Sequence, residues 1–224
     1  GIAPHMHAGQ MVILQSTTYP GTTEEIVQPI LERGGLRAGT DFHLVFSPER
    51  IDPGNANYSA HNIPKVVGGL TPTCTELACQ LFRHLTPDVH PVSTPRAAEM
   101  TKLLENIFRS VNIALVNELA LLMERMNIDI WEVIAAAKTK PFGFMGFTPG
   151  PGVGGHCIPV DPYYLSWKAR EFDFYTKFIE LAAEVNADMP EHVVRLVTAG
   201  LNRQSKALNG ANILVLGVAF KRDI

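Results

Sequence analysis

The sequence predicts an α/β fold in which a parallel sheet is followed by an all-helical region and then by one further strand. Short apolar segments alternate with helical patterns at the start of the chain, which is typical of a parallel sheet. A single apolar helical pattern then runs from residue 94 to about 126, and an apolar strand pattern returns at 211–220. We therefore expect three parts, at 1–93, 94–209 and 210–224.

In the first part, apolar segments predict the strands. Met11–Thr17 predicts a buried strand. The helix expected after it, at 22–32, should be interrupted or kinked at Pro29, because proline has no N–H to donate. The other elements expected here are strands at 42–46, 65–68 and 89–92 and a helix that carries Cys74 and Cys79. The five-residue spacing of these cysteines fits no zinc site, so we expect them to pack in the core and expect no metal.

The helical part opens with a capping signal, because Thr94 is followed by Pro95, a residue favoured at the first helical position. The length of the helix that follows is typical of coiled-coil or inter-subunit helices. Asp129 and Glu132 predict the capped start of the next helix, which should end near residue 137. Further helices are expected at 162–171 and 176–202.

Composition excludes several classes of partner. The net charge is −3 and there is no basic stripe, so we expect no nucleic acid. No apolar run reaches the length of a membrane span, and the first residues carry no signal-peptide pattern, so we expect no membrane partner. Three cysteines, an odd and low number, indicate a reducing compartment, and we expect a cytoplasmic protein. Both ends interrupt an expected sheet, so we also expect the chain to be part of a longer one.

The most informative segment is the loop at 150–162, where five of the first six residues are Gly or Pro and a cysteine follows. Glycine lets backbone N–H groups approach a ligand closely, and a thiol presented by such a loop is a candidate nucleophile. Asp161 and Pro162 predict the N-cap and first residue of a helix, whose N-terminus would favour a thiolate at Cys157. The alternative is a flexible linker with a buried structural cysteine.

A formal G-x-G-x-x-G match is formed by Gly150, Gly152 and Gly155. The dinucleotide-binding fingerprint requires a strand before the glycines and a helix directly after them. No strand pattern precedes this match and His156-Cys-Ile-Pro follows it, so we exclude a dinucleotide-binding turn here. The sequence contains no other such fingerprint.

A polar stripe runs along the long predicted helix. Its members, at spacings of three, four and three residues, are Glu99, Lys102, Asn106 and Arg109. One interpretation is a solvated face. The other is an ammonium and an amide directed together at a ligand oxygen, which could stabilise a developing oxyanion.

Thr17 and Glu49 are further candidates because they end or follow predicted strands. The strand ends of a parallel sheet line ligand crevices. The alternatives are an ordinary strand-end hydroxyl for Thr17 and a surface ion pair with Arg50 for Glu49.

Together these segments resemble the UDP-glucose/GDP-mannose dehydrogenase family. The block Gly154-Gly-His-Cys-Ile-Pro-Val-Asp-Pro162 resembles the active-site cysteine signature of that family. Further blocks match in the same order over essentially the whole chain: Ser16-Thr17, Ser47-Pro-Glu49, Lys102-x-x-x-Asn106 and Leu216-Gly-Val-Ala-Phe-Lys221. Within the family, segments 16–25 and 140–145 look most like the UDP-N-acetylglucosamine 6-dehydrogenase branch, with UDP-N-acetylmannosamine dehydrogenase as the near neighbour.

The resemblance implies an N-terminal NAD-binding Rossmann domain, a central dimerisation domain with a long helix, and a C-terminal nucleotide-sugar-binding domain. Residues 1–93 would be the back part of the Rossmann sheet, 94–209 the helical domain with the cysteine loop, and 210–224 the first strand of a second Rossmann-like domain. A homodimer through helix 94–126 is implied. The chain departs from the family by lacking the NAD fingerprint and nearly all of the last domain, so we do not expect it to be active alone.

The activity implied is NAD-dependent oxidation of the C6 alcohol of a UDP-hexosamine to a uronate, for surface polysaccharide synthesis. Cys157 would form a thiohemiacetal and then a thioester, and Lys102 and Asn106 would stabilise oxyanions. The residues that would position or activate water are Thr17, Asp161 and Glu49. Substrate-contacting positions implied are Thr148, Pro149, Gly150, Pro151, Gly152, Val153, Gly154, Arg109, Phe220 and Lys221. Cofactor-contacting positions implied are Ser16, Thr17, Glu49 and Cys157.

Two other functions stay open at this point. Dehydrogenases of the 6-phosphogluconate or 3-hydroxyacid type also carry a Lys-x-x-x-Asn helix pair and need no cysteine. Alternatively, the chain is a folded but non-catalytic dimerisation core.

Overall fold

The computed structural model describes residues 1–52, 54–55 and 57–217. Within them the chain divides into two compact units. The first unit comprises residues 1–105 and 167–172, and the second comprises 106–166 with the residues from 173 onward.

Four strands and six α-helices are found in the described residues. In chain order they are β1 (Met11–Leu14), α1 (Gln28–Leu31), β2 (His43–Phe46), β3 (Lys65–Gly69), α2 (Pro72–Arg83), β4 (Val89–Pro91), α3 (Pro95–Met126), α4 (Ile130–Ala137), α5 (Cys157–Ala169) and α6 (Lys177–Asn202). Short 3₁₀ turns lie at Ala3–His5, Glu32–Gly34 and Arg170–Phe172, and a π-helical turn lies at Thr23–Val27. Helices α3 and α5 each contribute residues to both units.

The sheet of the first unit has the order β1-β2-β3-β4. β1 pairs with β2 in parallel, from Met11 opposite His43 to Leu14 opposite Phe46, and β3 pairs with β4 in parallel. β2 and β3 are antiparallel, so the expectation of a wholly parallel sheet is wrong at this step. A parallel pair needs a long crossover, usually a helix, and the described residues between β2 and β3 contain none.

Helices cover both faces of this sheet. Side chains alternate along a strand, so Val45 and Val67 pack on one face against α2, with Cys74 and Phe82. Leu44, on the opposite face, packs with Leu31 of α1. On that same side of β2, Phe46 packs with Val66 and with Ala98 of α3.

Most first-part predictions are confirmed, with shifted boundaries. β1 ends three residues earlier than expected and is half-buried, because it is the edge strand of the described sheet. The helix after β1 is interrupted as predicted: a π-helical turn ends at Val27, just before α1, which contains Pro29. The buried positions of Cys74 and Cys79 on α2 confirm that both pack in the core.

The second unit is built from helices. α3 is 32 residues long and begins at Pro95, as predicted. Asp129 caps α4 by accepting a hydrogen bond from Trp131 N at 2.9 Å, which also confirms the prediction. α6 begins one residue after the expected position and ends at the expected residue, Asn202. Its N-terminal Thr176 donates to Ser166 Oγ (2.8 Å) and makes no side-chain cap.

The predicted start of the next helix is wrong, because α5 begins at Cys157 rather than at Pro162. Pro159 lies in the first turn, where helical N–H groups have no intrahelical partner and proline is tolerated. Pro162 lies inside the helix, so the carbonyl of Ile158 receives no hydrogen bond from it. Asp161 is therefore a residue of the second turn and not the N-cap.

By length and composition alone, α3 is apolar enough to cross a membrane, the one such helix in the described residues. This differs from the expectation that no apolar run reaches such a length. Core helices of soluble proteins meet the same criterion, and α3 carries the fully buried Glu99, Asn106 and Asn117 among its apolar residues.

The strand predicted at 211–220 is not found in its described part, residues 211–217. Ile213, Leu214, Val215 and Leu216 are instead half or more exposed. A strand is held by hydrogen bonds to a neighbouring strand, and no described segment pairs with these residues. Residues 218–220 of the prediction lie outside the described residues.

Candidate functional site

Cys157 is the first residue of α5 and is an exposed, free thiol. The glycine-rich loop before it follows α4 rather than a strand, as expected for a loop that is not a dinucleotide-binding turn. The expectation that no helix directly follows the glycines is wrong, because α5 begins two residues after Gly155. The alternative of a buried structural cysteine is wrong for Cys157.

Asp161 lies one turn along α5 from Cys157 and is buried. Its Oδ2 accepts a hydrogen bond of 2.6 Å from Asn106 Nδ2 of α3. Asn106 is fully buried, and its Oδ1 accepts from Arg109 at 2.8 Å. Within the described residues the Asn106 amide donates only to Asp161, so one of its two N–H donors is left for another acceptor.

The polar stripe on α3 does not form a solvated face. Glu99 and Asn106 are fully buried, Lys102 is half-buried, and only Arg109 is exposed. Lys102 makes no hydrogen bond or ion pair within the described part of the chain. Because an ammonium carries three donors, its capacity to bind an acceptor is unused there.

Thr17 lies three residues beyond β1 and is half-buried, while Ser16 beside it is exposed. Glu49 follows β2, and its backbone N–H donates to Gln15 O (3.3 Å). Since β1 and β2 are parallel, both segments leave the sheet at the same edge. The structure thus brings the Ser16-Thr17 and Glu49 segments together, as the sequence predicts.

The alternative interpretation of Glu49, a surface ion pair with Arg50, is wrong. Glu49 Oε2 pairs with Lys65 Nζ at 3.0 Å, and Arg50 pairs with Glu105 at 2.6 Å. Partial burial raises the pKa of Glu49, but hydrogen bonds from Ile51 N, Lys65 and Arg50 N outweigh it and leave this pKa below its ordinary value. Glu49 is therefore an anionic acceptor at neutral pH.

The glycine-rich loop is anchored by two buried amides that the sequence analysis missed. Asn117 of α3 accepts a hydrogen bond from Gly150 N (3.0 Å) and donates to Asn186 Oδ1 of α6 (2.9 Å). Asn186 in turn donates to Ser110 O at 3.2 Å. The signal was present, because Asn106, Ser110 and Asn117 recur at spacings of four and seven on an otherwise apolar helix.

Gly152 of the same loop has a φ of +112°, a conformation that disfavours any side chain. A Cβ at this position would lie 2.9 Å from the carbonyl oxygen of Asn186. The loop backbone is thereby held close to α6. The remaining predicted loop positions, Thr148, Pro149, Pro151, Val153 and Gly154, are half-buried or exposed. Phe220 and Lys221 lie outside the described residues.

The residues at the sheet edge fit part of a dinucleotide. Ser47 Oγ is buried without a hydrogen-bond partner among the described residues, and it directly follows β2. Ser16 and Thr17 add two hydroxyls at the same edge, where Rossmann-type sheets bind dinucleotides. These groups suit a ribose or amide, whereas the glycine turn that binds pyrophosphate is not in this sequence. No cluster of metal-ligating side chains occurs in the residues that the structure describes.

Comparison with known proteins defines the class. The NAD binding domain of the UDP-glucose/GDP-mannose dehydrogenase family matches residues 1–86, and the central domain of the same family matches residues 96–188. The chain thus contains sequence of an NAD binding domain and of a central domain that belong to one family. It belongs to the UDP-glucose/GDP-mannose dehydrogenase family.

Named relatives fall in the hexosamine branches. The chain is 42% identical over 217 residues to a UDP-N-acetyl-D-glucosamine 6-dehydrogenase of Pseudomonas aeruginosa, covering 96% of this chain and 51% of that protein. It is 39% identical to a UDP-N-acetyl-D-mannosamine dehydrogenase of Pyrococcus horikoshii, over 98% and 52% of the two chains. A solved structure of the Pyrococcus UDP-D-ManNAc dehydrogenase superposes with a TM-score of 0.85 at 37% identity, covering 92% of this chain and 48% of that one. The chain spans about half the length of these relatives.

Proposed function

We propose that the protein containing this chain oxidises the C6 alcohol of a UDP-N-acetylhexosamine to a carboxylate in two successive steps, with NAD⁺ as the oxidant. The observation that carries this proposal is the buried Asn106–Asp161 hydrogen bond, which joins the amide of the Lys102-x-x-x-Asn106 pair to the helix that begins at Cys157. Relatives named for the oxidation of UDP-N-acetylglucosamine and UDP-N-acetylmannosamine support this substrate class.

NAD⁺ would accept one hydride in each of the two oxidations. In the first, the alcohol loses a hydride and a proton and becomes an aldehyde. The Cys157 thiolate then adds to the aldehyde carbon, and the resulting thiohemiacetal loses a second hydride and a proton to become a thioester. Water cleaves the C–S bond, which yields the carboxylate and returns the thiol. Covalent capture on Cys157 keeps the half-oxidised sugar from escaping.

Five polar residues matched by the resemblance would manage charge and water in these steps. The ammonium of Lys102 and the unused N–H of Asn106 would stabilise the oxyanions formed at C6. Asp161, an acceptor held by Asn106, and the anionic Glu49 would orient the attacking water together with Thr17. Ser16 would contact the cofactor beside Thr17.

The glycine-rich loop would bind the nucleotide sugar through its backbone. Its anchoring to Asn117 and Asn186 supports this role, because a pre-positioned loop loses less conformational freedom on binding. Phe220 and Lys221 would add substrate contacts from the next domain, and Arg109 would contact substrate or a second subunit. Three free cysteines fit a cytoplasmic location, where the product would serve surface polysaccharide synthesis.

A homodimer through the long helix is part of this proposal. Phe108, Leu115 and Leu122 recur every seven residues on α3 and are 45%, 51% and 50% exposed. An apolar row at this spacing on a long helix is the pattern of a helix that packs against another helix.

NADH counting on the full-length protein tests the proposal. We expect two NADH per sugar with UDP-N-acetylglucosamine or UDP-N-acetylmannosamine, less activity with UDP-glucose, and none in the Cys157→Ala variant. Cys79→Ala is the matched control, because it removes a buried thiol on α2 and should leave turnover intact. One NADH per sugar, or turnover indifferent to Cys157, would indicate a simple alcohol dehydrogenase of the hydroxyacid type instead.

A further inference from the structure

Glu99 of α3 is a fully buried carboxylate in the first unit that the proposed chemistry does not use. Its Oε2 accepts a hydrogen bond from Gly21 N at 2.6 Å. Its Oε1 accepts from Thr23 N at 2.9 Å and from Thr23 Oγ1 at 2.6 Å. Burying a carboxylate is unfavourable unless it is well hydrogen-bonded, and these three bonds satisfy it with both oxygens occupied.

These bonds cap a helix from a distant part of the chain. The helical run that begins at Thr23 has Thr22 at its N-cap position, and the Thr22 side chain makes no capping bond. Thr22 Oγ1 instead donates to Tyr19 O (2.8 Å) and shares a hydrogen bond with Thr18 Oγ1. The N–H groups at the start of a helix need acceptors and the helix dipole favours an anion there, which Glu99 provides.

The turn that Glu99 holds directly follows Thr17. It is closed internally by the Thr18–Thr22 bond, and Gly21 within it has a φ of +109°. A turn that contains a glycine with positive φ and is held by three hydrogen bonds to Glu99 has little conformational freedom. The position of Thr17, the residue just before the turn, is therefore restricted as well. On the other side, Glu99 precedes Lys102 by three residues, which is one turn of α3.

We infer that Glu99 is a positioning residue that fixes Thr17 relative to Lys102. This inference rests on the proposed function, in which Thr17 orients the water that attacks the thioester and Lys102 stabilises the oxyanion. Glu99 reaches neither substrate nor cofactor in this role, because both of its oxygens are engaged by the turn. It sets the geometry of the last step, thioester hydrolysis.

Glu99→Gln in the full-length protein tests this inference. A glutamine places an NH₂ group where an acceptor is needed, so at least one of the bonds to Gly21 or Thr23 is replaced by two facing donors. Because a misplacement of about 1 Å can slow a reaction about 100-fold, we expect kcat to fall by about 100-fold with the KM for the UDP-sugar little changed. Arg96→Gln is the matched control. It removes the Arg96–Glu24 ion pair between the same two segments, and it should leave kcat unchanged.

The step affected separates positioning from simple stability. When Thr17 is misplaced, thioester hydrolysis should slow much more than either hydride transfer, even though Thr17 also lies at the cofactor edge. A burst of two NADH per active site should therefore precede slow turnover. Mass spectrometry of the quenched protein should then show the uronyl adduct on Cys157. Thr23→Val removes only the hydrogen bond from Thr23 Oγ1 to Glu99 and keeps the side-chain shape, so it should also lower kcat. Thr23→Ser keeps the hydroxyl and should have a kcat close to that of the wild type.

Three outcomes would overturn the inference. The first is a Glu99→Gln variant with a lower melting temperature but a wild-type kcat per folded molecule. The second is a variant that slows the first hydride transfer and accumulates no adduct, and the third is a Thr23→Val variant with unchanged kcat. Failure of the proposed function is recognised separately, because the wild-type protein itself would then not release two NADH per sugar.

Discussion

Replacing Asn117 by alanine should loosen the substrate loop and destabilise the second unit. Asn117 is fully buried on α3 and makes two hydrogen bonds that no other described side chain replaces. In the alanine variant, Gly150 N loses its acceptor and Asn186 Oδ1 loses its donor. Alanine fits the helix at this position, so the effect isolates the two lost bonds.

The size of the destabilisation depends on how buried the two groups are that lose their hydrogen-bond partner, Gly150 N and Asn186 Oδ1. A buried polar group left without a partner costs about 1–3 kcal/mol. Gly150 N is only partly buried, so the cost of its lost acceptor should lie near the lower end of this range. Asn186 is buried, so the cost of its lost donor should lie near the upper end. The better helix propensity of alanine returns at most about 0.7 kcal/mol. We therefore expect the free energy of unfolding to fall by about 2–4 kcal/mol.

Urea unfolding and hydrogen exchange measure the two parts of this effect. Unfolding gives the change in free energy, and exchange of the Gly150 amide gives the loss of local protection. Asn112→Ala is the matched control on the same helix, because its side chain donates only to Phe108 O (2.7 Å) in the described residues and should cost less than about 1 kcal/mol. Equal losses in the two variants, or an unchanged exchange rate at Gly150, would refute the anchoring role of Asn117.

Three further predictions concern other parts of the chain. Because the folded pKa of Glu49 is lowered, its stabilisation is present above its ordinary value of 4.5 and is lost in acid. The melting temperatures of wild type and Glu49→Gln should therefore converge as the pH falls from 7 to 3, and a constant gap would contradict this. Gly152→Ala should cost about 1–3 kcal/mol and weaken sugar binding, while Gly150→Ala, whose Cβ would meet no atom closer than 3.8 Å, should cost less. Leu115→Glu should give a monomer in sedimentation, and a persistent dimer would exclude this face of α3 as the interface.

Local sequence signals predicted most of the elements. Pro95 marks the start of α3 and Asp129 the cap of α4, because caps and first-turn prolines act within a few residues of the chain. The start of α5 was missed because two prolines lie in its first six residues and the later one gave the stronger signal. The sequence pattern alone could not show that Pro162 lies inside a helix rather than at its beginning.

Long-range pairing was predictable only in part. The carboxyl ends of β1 and β2 lie at the same edge of the sheet because the two strands are parallel. The sequence could therefore predict Thr17 and Glu49 as candidate site residues at that edge. The antiparallel step between β2 and β3 goes with a connection whose described residues form no helix, and the sequence gives no periodic signal for such a step. Glu99 was noticed as a member of a stripe, but its partners lie 76 and 78 residues away and no local rule connects them.

The unpaired segment Ile213–Leu216 has a consequence for handling the isolated chain. Leu214 and Leu216 are 82% and 85% exposed, and residues 211–217 contain no charge and no proline. Short apolar segments of high β-propensity with free backbone groups template cross-β stacking between molecules. A polypeptide in which this segment stays unpaired would therefore tend to associate with other copies of itself through Ile213–Leu216.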